Sequence, residues 1–436
     1  MVVIVCFRKR LYQTMLKAIA KAYRVAAYGL LTILILWMVL NVFAWVALKI
    51  SHRFFPPPNP VIARYGREFT LELERKIYPD LSHDEVQAML NEMWGRPVKF
   101  DPFTTFRERR FQGKYVNISE HGYRRVRNQG PWPPAASNLN VFFFGGSTTF
   151  GYGLPDWQTI PSYVQDILRE KFNLGNVCVY NFGTNSFYSS QERAYFQSWI
   201  TQNQIPDVAV FFDGLNEFFY IDNVPKYSRE LAELLDVVVR YKPPPSPWVS
   251  YLNDWPFVRL MMETLSPRQT QVYQLTPQDF ELTEADIRYF KNEQVLSSVI
   301  GTYRRNKQQI EAVAKSVGCA VLFVWQPIPA YKCDLRYHPF GHRGKKMFSV
   351  YGYPIMEELH RKGELGDNFL WAADLQEGLT EPLYVDQVHY TSAFAKRIAE
   401  FIAPHIAERL LRIDKQSRLP RCMRDGTTSS TLHVDG

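Results

Sequence analysis

The sequence predicts an α/β protein, a three-layer parallel sheet covered by helices on both faces and preceded by one N-terminal transmembrane helix. Three observations carry this. A charge-free apolar run, Val25 to Leu48, lies near the start. From residue 139 onward, continuous apolar segments alternate with amphipathic ones. Those apolar segments end in small and polar residues, where sheets of this kind bind ligands. The 436 residues are 46% hydrophobic, 15% aromatic and 22% charged. That composition fills cores, and it excludes a disordered, collagenous or coiled-coil chain.

The net charge of +8 is local. Arg8, Lys9, Arg10, Lys17, Lys21 and Arg24 precede any acid, and the remainder sums to +2. A nearly neutral body lacks the basic footprint of a phosphate binder, so no nucleic acid partner is expected. The 24 positions from Val25 to Leu48 reach roughly 36 Å at ~1.5 Å each, against about 30 Å of hydrocarbon. This run exceeds the ~7–15 residues of a signal-peptide core, and no small-x-small site stands between Ala44 and Lys49. A retained anchor is expected, with the lipid bilayer as its partner. Downstream to Arg64 only Lys49, Arg53 and Arg64 are basic. The positive-inside rule then makes residues 1–24 a basic cytosolic tail and sends the body across, in a bacterium from the inner membrane into the periplasm. Leu11, Met15, Ile19 and Ala22 recur at helical spacing in that tail, as in an interfacial helix or a solvated basic one. Among five cysteines, only Cys333 and Cys422 lie in polar stretches, which leaves room for one bridge.

Residues 49–138 read as a linker and an N-terminal extension. FFPPPNP, Phe54 to Pro60, is stiff and extended, and HDEVQAMLNEMW is a short helix. No chemistry is assigned to this extension. The main domain spans 139–413. Its strands are NVFFFGG (Asn140–Gly146), VCVYNFG (Val177–Gly183), VAVFFDG (Val208–Gly214) and AVLFVWQP (Ala320–Pro327), with a fifth near Phe369. Its helices are IPSYVQDILREKF, SSQERAYFQSWI, VIGTYRRNKQQIEAVAKSVG and a closing one that ends in Leu411. Continuous apolar strands between amphipathic helices imply a parallel sheet buried on both faces. A helix-rich insertion with proline breaks occupies about 222–296, and residues 414–436 form a tail.

Polar residues at the strand ends carry the chemistry. Gly145-Gly146 turns the chain and leaves Ser147 at the head of the next segment. No Lys follows at the Walker spacing, and Thr149 breaks the G-x-S-x-G elbow. Asn216 follows the third strand, where its amide can donate over the same ridge. Asp386 and His389, three apart before the last helix, can pair carboxylate with imidazole and leave one ring nitrogen free, as a general base requires. Cys333, His338 and His342 have a zinc-like spacing but sit in a loop rich in Gly, Pro and Lys with no fourth ligand, so no metal is expected. No other cofactor is expected.

These blocks resemble the SGNH (GDSL-like) hydrolase family from about Asn140 to Leu411. The matching segments are FFFGGSTTFGYG, NFGTNSFYSSQ, GLNE and DQVHYT. The resemblance implies a flavodoxin-like sheet, with Ser147 as nucleophile, His389 as general base and acid, and Asp386 as its orienting partner. It also implies an oxyanion hole made of the Ser147 N–H, the Asn216 side chain and the backbone N–H of Ser186, with Gly183 the lesser candidate. Gly146 stands where the family's motif has Asp, Glu217 where Asp is usual, and Ser186 where the family has Gly. The expected function is a membrane-anchored serine esterase acting on acyl esters, O-acetyl esters of cell-envelope carbohydrate by preference. Two alternatives stand beside it: an O-acyltransferase to envelope polysaccharide using the same site, and a non-catalytic glycan-binding scaffold.

Overall fold

A computed structural model describes residues 2–54, 70–94, 96, 98–218, 220–221, 224–225, 255–265, 288–340 and 348–412. The proline linker after Phe54, most of the 222–296 insertion, His342, Cys422 and the 414–436 tail lie outside these residues. The chain forms two compact units: Met1–Asn59 with Val237–Gln274, and Pro60–Asp236 with Leu275–Gly436.

In the first unit, α1 (Val2–Phe54) is one uninterrupted helix that runs through both the basic tail and the apolar run. Its segment Thr14–Ile50 is long and apolar enough to cross a membrane. Leu30, Leu31, Ile33, Leu34, Leu36 and Met38 are all more than half exposed. So continuous an apolar surface marks a membrane or partner contact rather than a face left to water.

The second unit holds the sheet, with strands β1 (Leu139–Gly145), β2 (Val177–Asn181), β3 (Val208–Asp213), β4 (Ala320–Trp325) and β5 (Phe369–Trp371). Their order is β5-β4-β3-β1-β2, and every pairing is parallel. This is the flavodoxin-like order, in which the strand order reverses between β1 and β3.

Burial explains why β1–β3 read as unbroken apolar runs: every one of their residues is buried. Val141, Phe143, Val179, Val210 and Phe212 face a core shared with Ile160, Val164 and Leu168 of α5 (Ile160–Glu170) and Ile398, Ile402 and Ile406 of α10 (Ser392–Arg412). Phe142, Phe144, Tyr180 and Phe211 face the opposite layer. There they meet α6 (Ser189–Thr201), α8 (Glu293–Val317) and α9 (Tyr353–Arg361) through Tyr195, Trp199, Ile300, Tyr303 and Tyr353. Phe144, Phe211 and Phe323 stack across three adjacent strands with centroids 5.2 Å apart at each step. Truncating one such ring costs about 3–5 kcal/mol. The helices begin where the sequence supplies acceptors for unpaired N–H groups. Thr159 accepts from the Ser162 N–H at 3.3 Å, and Asn292 from the Gln294 N–H at 2.8 Å.

The extension adds α2 (Leu71–Ile77), α3 (His83–Trp94) and the hairpin Val98–Asp101 with Thr105–Glu108. Val86, Met89, Leu90 and Met93, at helical spacing, bury into the α5/α10 core.

Candidate active site

Strand β1 delivers Ser147 into a single-turn helix, α4 (Ser147–Phe150), for which Gly146 is the extended N-cap. At that first helical position the Ser147 N–H has no intrahelical acceptor. A Cβ at Gly146 would collide with the Asn216 side-chain amide and come within 3.2 Å of the Phe187 carbonyl oxygen. Glycine is therefore what lets the end of β3 close over the serine turn. Asn216 opens the 3₁₀ turn Asn216–Phe218 and donates from Nδ2 to the Phe187 oxygen at 2.7 Å. That bond fixes the amide plane and leaves a second Nδ2–H to give.

The loop after β2 separates its two glycine-like positions. The Gly183 N–H donates to Asn181 Oδ1 at 3.0 Å, and a Cβ there would collide with the backbone of Phe150. Gly183 is a close-packing residue whose donor is already committed. Ser186 has φ +58, the left-handed region where glycine is usual. Among the described residues, no group accepts its N–H. The three expected oxyanion donors thus follow β1, β2 and β3, at the crevice where the strand order reverses.

His389 sits in a loop folded around its own partner. Nδ1 lies 2.7 and 2.9 Å from the two Asp386 oxygens. Asp386 Oδ1 also accepts the N–H groups of Val388 and His389, each at 2.9 Å. One carboxylate therefore shapes the loop, fixes the ring and favours the proton on Nδ1. Nε2 is buried and has no hydrogen-bond partner among the described residues, so no hydrogen bond joins it to the Ser147 hydroxyl. Tyr152 stacks on the imidazole at 5.4 Å, and Trp94 meets it edge-on at 5.9 Å.

Two neighbours tie the serine and histidine loops together. Thr148 Oγ1 donates to Gln326 Oε1 at 2.8 Å, and the Tyr390 hydroxyl donates to the same oxygen at 3.0 Å. Burial holds Tyr390 well above its ordinary range, so it stays a neutral donor. The residue after Ser147 and the residue after His389 thus converge on one acceptor at the end of β4.

Behind Asn216, Glu217 accepts from the Ser189 N–H at 2.6 Å and from the Ser189 hydroxyl at 2.8 Å. Asn306 Nδ2 donates to that hydroxyl at 2.9 Å. These bonds latch the end of β3 to the start of α6. Burial, then the Asp213 charge, pushes Glu217 up to about 8. Burial also lifts Asp213 to about 7. Burial and Asp213 raise Glu192 well above the carboxylate range.

The extension to which the sequence reading assigns no chemistry is built into this site. Arg124, wholly buried, pairs with Asp156 at 2.8 Å and donates to the carbonyls of Phe150, Gly151 and Leu154 at 2.8, 2.8 and 2.6 Å. It staples the turn that follows the serine helix. Glu108 accepts from the Tyr152 hydroxyl at 3.3 Å and the Asn185 N–H at 3.4 Å. Trp94 closes the helix legible in HDEVQAMLNEMW, but no local pattern ties it to His389, or Arg124 to the turn after Ser147. Of the zinc-like set, His338 accepts the Phe340 N–H at 3.0 Å and packs on Tyr384. Among the described residues, no cluster of three or more His, Cys, Asp or Glu can hold a metal ion.

No family model matches the chain, and no curated protein does. Similar solved structures are remote. A carbohydrate acetylesterase from Sinorhizobium meliloti is 12% identical, with a TM-score of 0.33, over 62% of this chain and 99% of that one. A lipolytic protein of the G-D-S-L family from Desulfitobacterium hafniense DCB-2, described as putative, is 12% identical, with a TM-score of 0.31 over the same shares. A catalytic mutant of an acetylxylan esterase from Geobacillus stearothermophilus is 13% identical, with a TM-score of 0.31 over 64% and 95%.

Proposed function

We propose that this protein is a membrane-anchored serine ester hydrolase of the SGNH type that removes acyl groups, O-acetyl by preference, from cell-envelope carbohydrate. The observation that carries it is the pairing of Asp386 with His389 at 2.7 Å, with a buried Nε2 that no other described residue engages and the Thr148 and Tyr390 hydroxyls meeting on Gln326 Oε1.

In this mechanism His389 Nε2 takes the Ser147 proton as Oγ attacks the ester carbonyl. Asp386 holds the ring and stabilises the imidazolium that forms. The developing oxyanion takes hydrogen bonds from the Ser147 N–H, the Ser186 N–H and Asn216 Nδ2. His389 returns its proton to the departing alkoxide, and water attacks the acyl-serine by the reverse route. No step needs a cofactor. The anchor α1 holds the body on the far side of the membrane from its basic N-terminus, next to envelope glycans.

The detergent-solubilised protein should hydrolyse p-nitrophenyl acetate and bind a serine-reactive phosphonate at Ser147, and Ser147→Ala should lose both. Equal hydrolysis by wild type and Ser147→Ala would falsify the assignment. With an acetylated glycan as substrate, free acetate is the expected product.

A further inference from the structure

The anchor carries a contact that the esterase does not use. Asn41 is the only strongly polar side chain between Val25 and Leu48, and it is buried while most of the surrounding face is exposed. Its Nδ2 donates to the Trp37 carbonyl at 2.9 Å, one turn back in α1. Its Oδ1 accepts the backbone N–H of Phe257 at 3.0 Å. Phe257 is the second residue of α7 (Pro256–Leu265), from the insertion. Trp37 also packs against Trp255 and Phe257, both with ring centroids at 5.6 Å.

The chemistry of this contact is specific to a place without water. The first N–H groups of a helix have no acceptor of their own. In water they need none from protein. In hydrocarbon an unpaired one is costly, and so is an unpaired side-chain amide. Here the lone polar side chain of the span and an orphan donor of a second helix satisfy each other. Asn41 lies seven residues before Leu48, about 10 Å inside the end of the apolar run. Asn41, Ala44 and Leu48 form one buried stripe at spacings of three and four, whereas Val39, Val42 and Phe43 beside it are exposed. On α7 itself, Met261 is 40% exposed and Trp255 just ahead of it 36%.

We propose that α7 is a second membrane-contacting element, seated in the bilayer against α1 and locked there by Asn41, so that the protein meets the lipid through two helices. This rests on reading α1 as a membrane anchor. It gives the insertion a role apart from the sheet, as a hydrocarbon-facing surface.

The test uses the full chain in phosphatidylcholine liposomes, with the native cysteines replaced and nitroxide placed singly at Met261→Cys, Leu34→Cys or the exposed Lys171→Cys. Collision with oxygen and with a water-soluble nickel chelate is then read at each site. Met261 should favour oxygen as Leu34 does, and Lys171 should favour nickel. Adding Asn41→Leu removes the hydrogen bond that joins the two helices and should shift the docked population by about tenfold, raising nickel access at Met261 but not at Leu34. Asn41→Gln, which keeps the amide, should restore much of the docking. Met261 in water with Leu34 in lipid overturns the proposal alone. Both in water overturns the anchor as well.

Discussion

Replacing Asn216 by Ala separates the bond its amide makes from the oxyanion role proposed for it. In the resting protein Nδ2 donates to the Phe187 carbonyl at 2.7 Å, and truncation leaves that oxygen short of a partner. The stability cost is about 1–2 kcal/mol, the ordinary consequence of removing one hydrogen-bonding partner. The second Nδ2–H, held over Gly146, is the one available to an oxyanion. Losing one such donor lowers kcat by about 10²–10³. The variant should thus unfold at slightly lower urea while kcat/KM for p-nitrophenyl acetate falls by that larger factor. Asn216→Asp should be worse for activity, because it faces the developing anion with a like charge. Phosphonate labelling of Ser147 reports whether the nucleophile remains in place. If Asn216→Ala is folded and its kcat/KM stays within about threefold of wild type, far short of losing an oxyanion donor, the assignment of Asn216 is wrong.

Gly146→Asp should abolish activity, because any Cβ there collides with the Asn216 amide; p-nitrophenyl acetate turnover equal to wild type would refute this. Arg124→Met breaks a buried pair and takes four hydrogen bonds from Asp156 and the Phe150, Gly151 and Leu154 carbonyls, so urea midpoints should drop by the equivalent of about 3–5 kcal/mol. The acids around Asp213 set a pH dependence. Glu217 is raised to about 8 and Asp213 to about 7, from 4.5 and 3.8. The folded state therefore holds protons that the unfolded chain has released. Stability from these groups is fully present below about pH 4 and is lost as pH rises to about 8. Urea titrations at pH 5 and pH 8 should show the lower midpoint at pH 8, and Asp213→Asn should flatten the difference; a higher midpoint at pH 8 contradicts the sign.

The sheet was legible because its strands are buried on both faces. VFFF, VCVY and VAVFF are continuous apolar runs that only a doubly covered parallel strand tolerates. HDEVQAMLNEMW could be read equally well, since Val86, Met89, Leu90 and Met93 recur at helical spacing and all bury. The pairing within the candidate site was legible where the residues are close in sequence. Asp386 and His389 are three apart, and one carboxylate bonds the ring and two N–H groups of the same loop. Ser186 stands where glycine is usual, and its φ of +58 shows the backbone keeping a glycine conformation despite the side chain.

What was not legible depends on chain distance. Arg124 has an unremarkable neighbourhood in sequence, and its meaning lies in the carbonyls of residues 150, 151 and 154, which it meets only after folding. Trp94 and Glu108 similarly reach Tyr152 from the extension. These contacts make the extension part of the candidate site. The serine turn is four residues of helix followed by a turn, too short to hold its own geometry. Its carbonyls need donors, and the sheet lends only the Asn181 Nδ2, to the Thr149 and Phe150 oxygens, because strand N–H groups are spent on their neighbours. A buried guanidinium, with five donors on a rigid fork, is the side chain best suited to satisfy several carbonyls at once. The extension is thus where the polar support for Ser147 comes from, and removing it should disable the site while leaving the sheet's own hydrogen bonds intact.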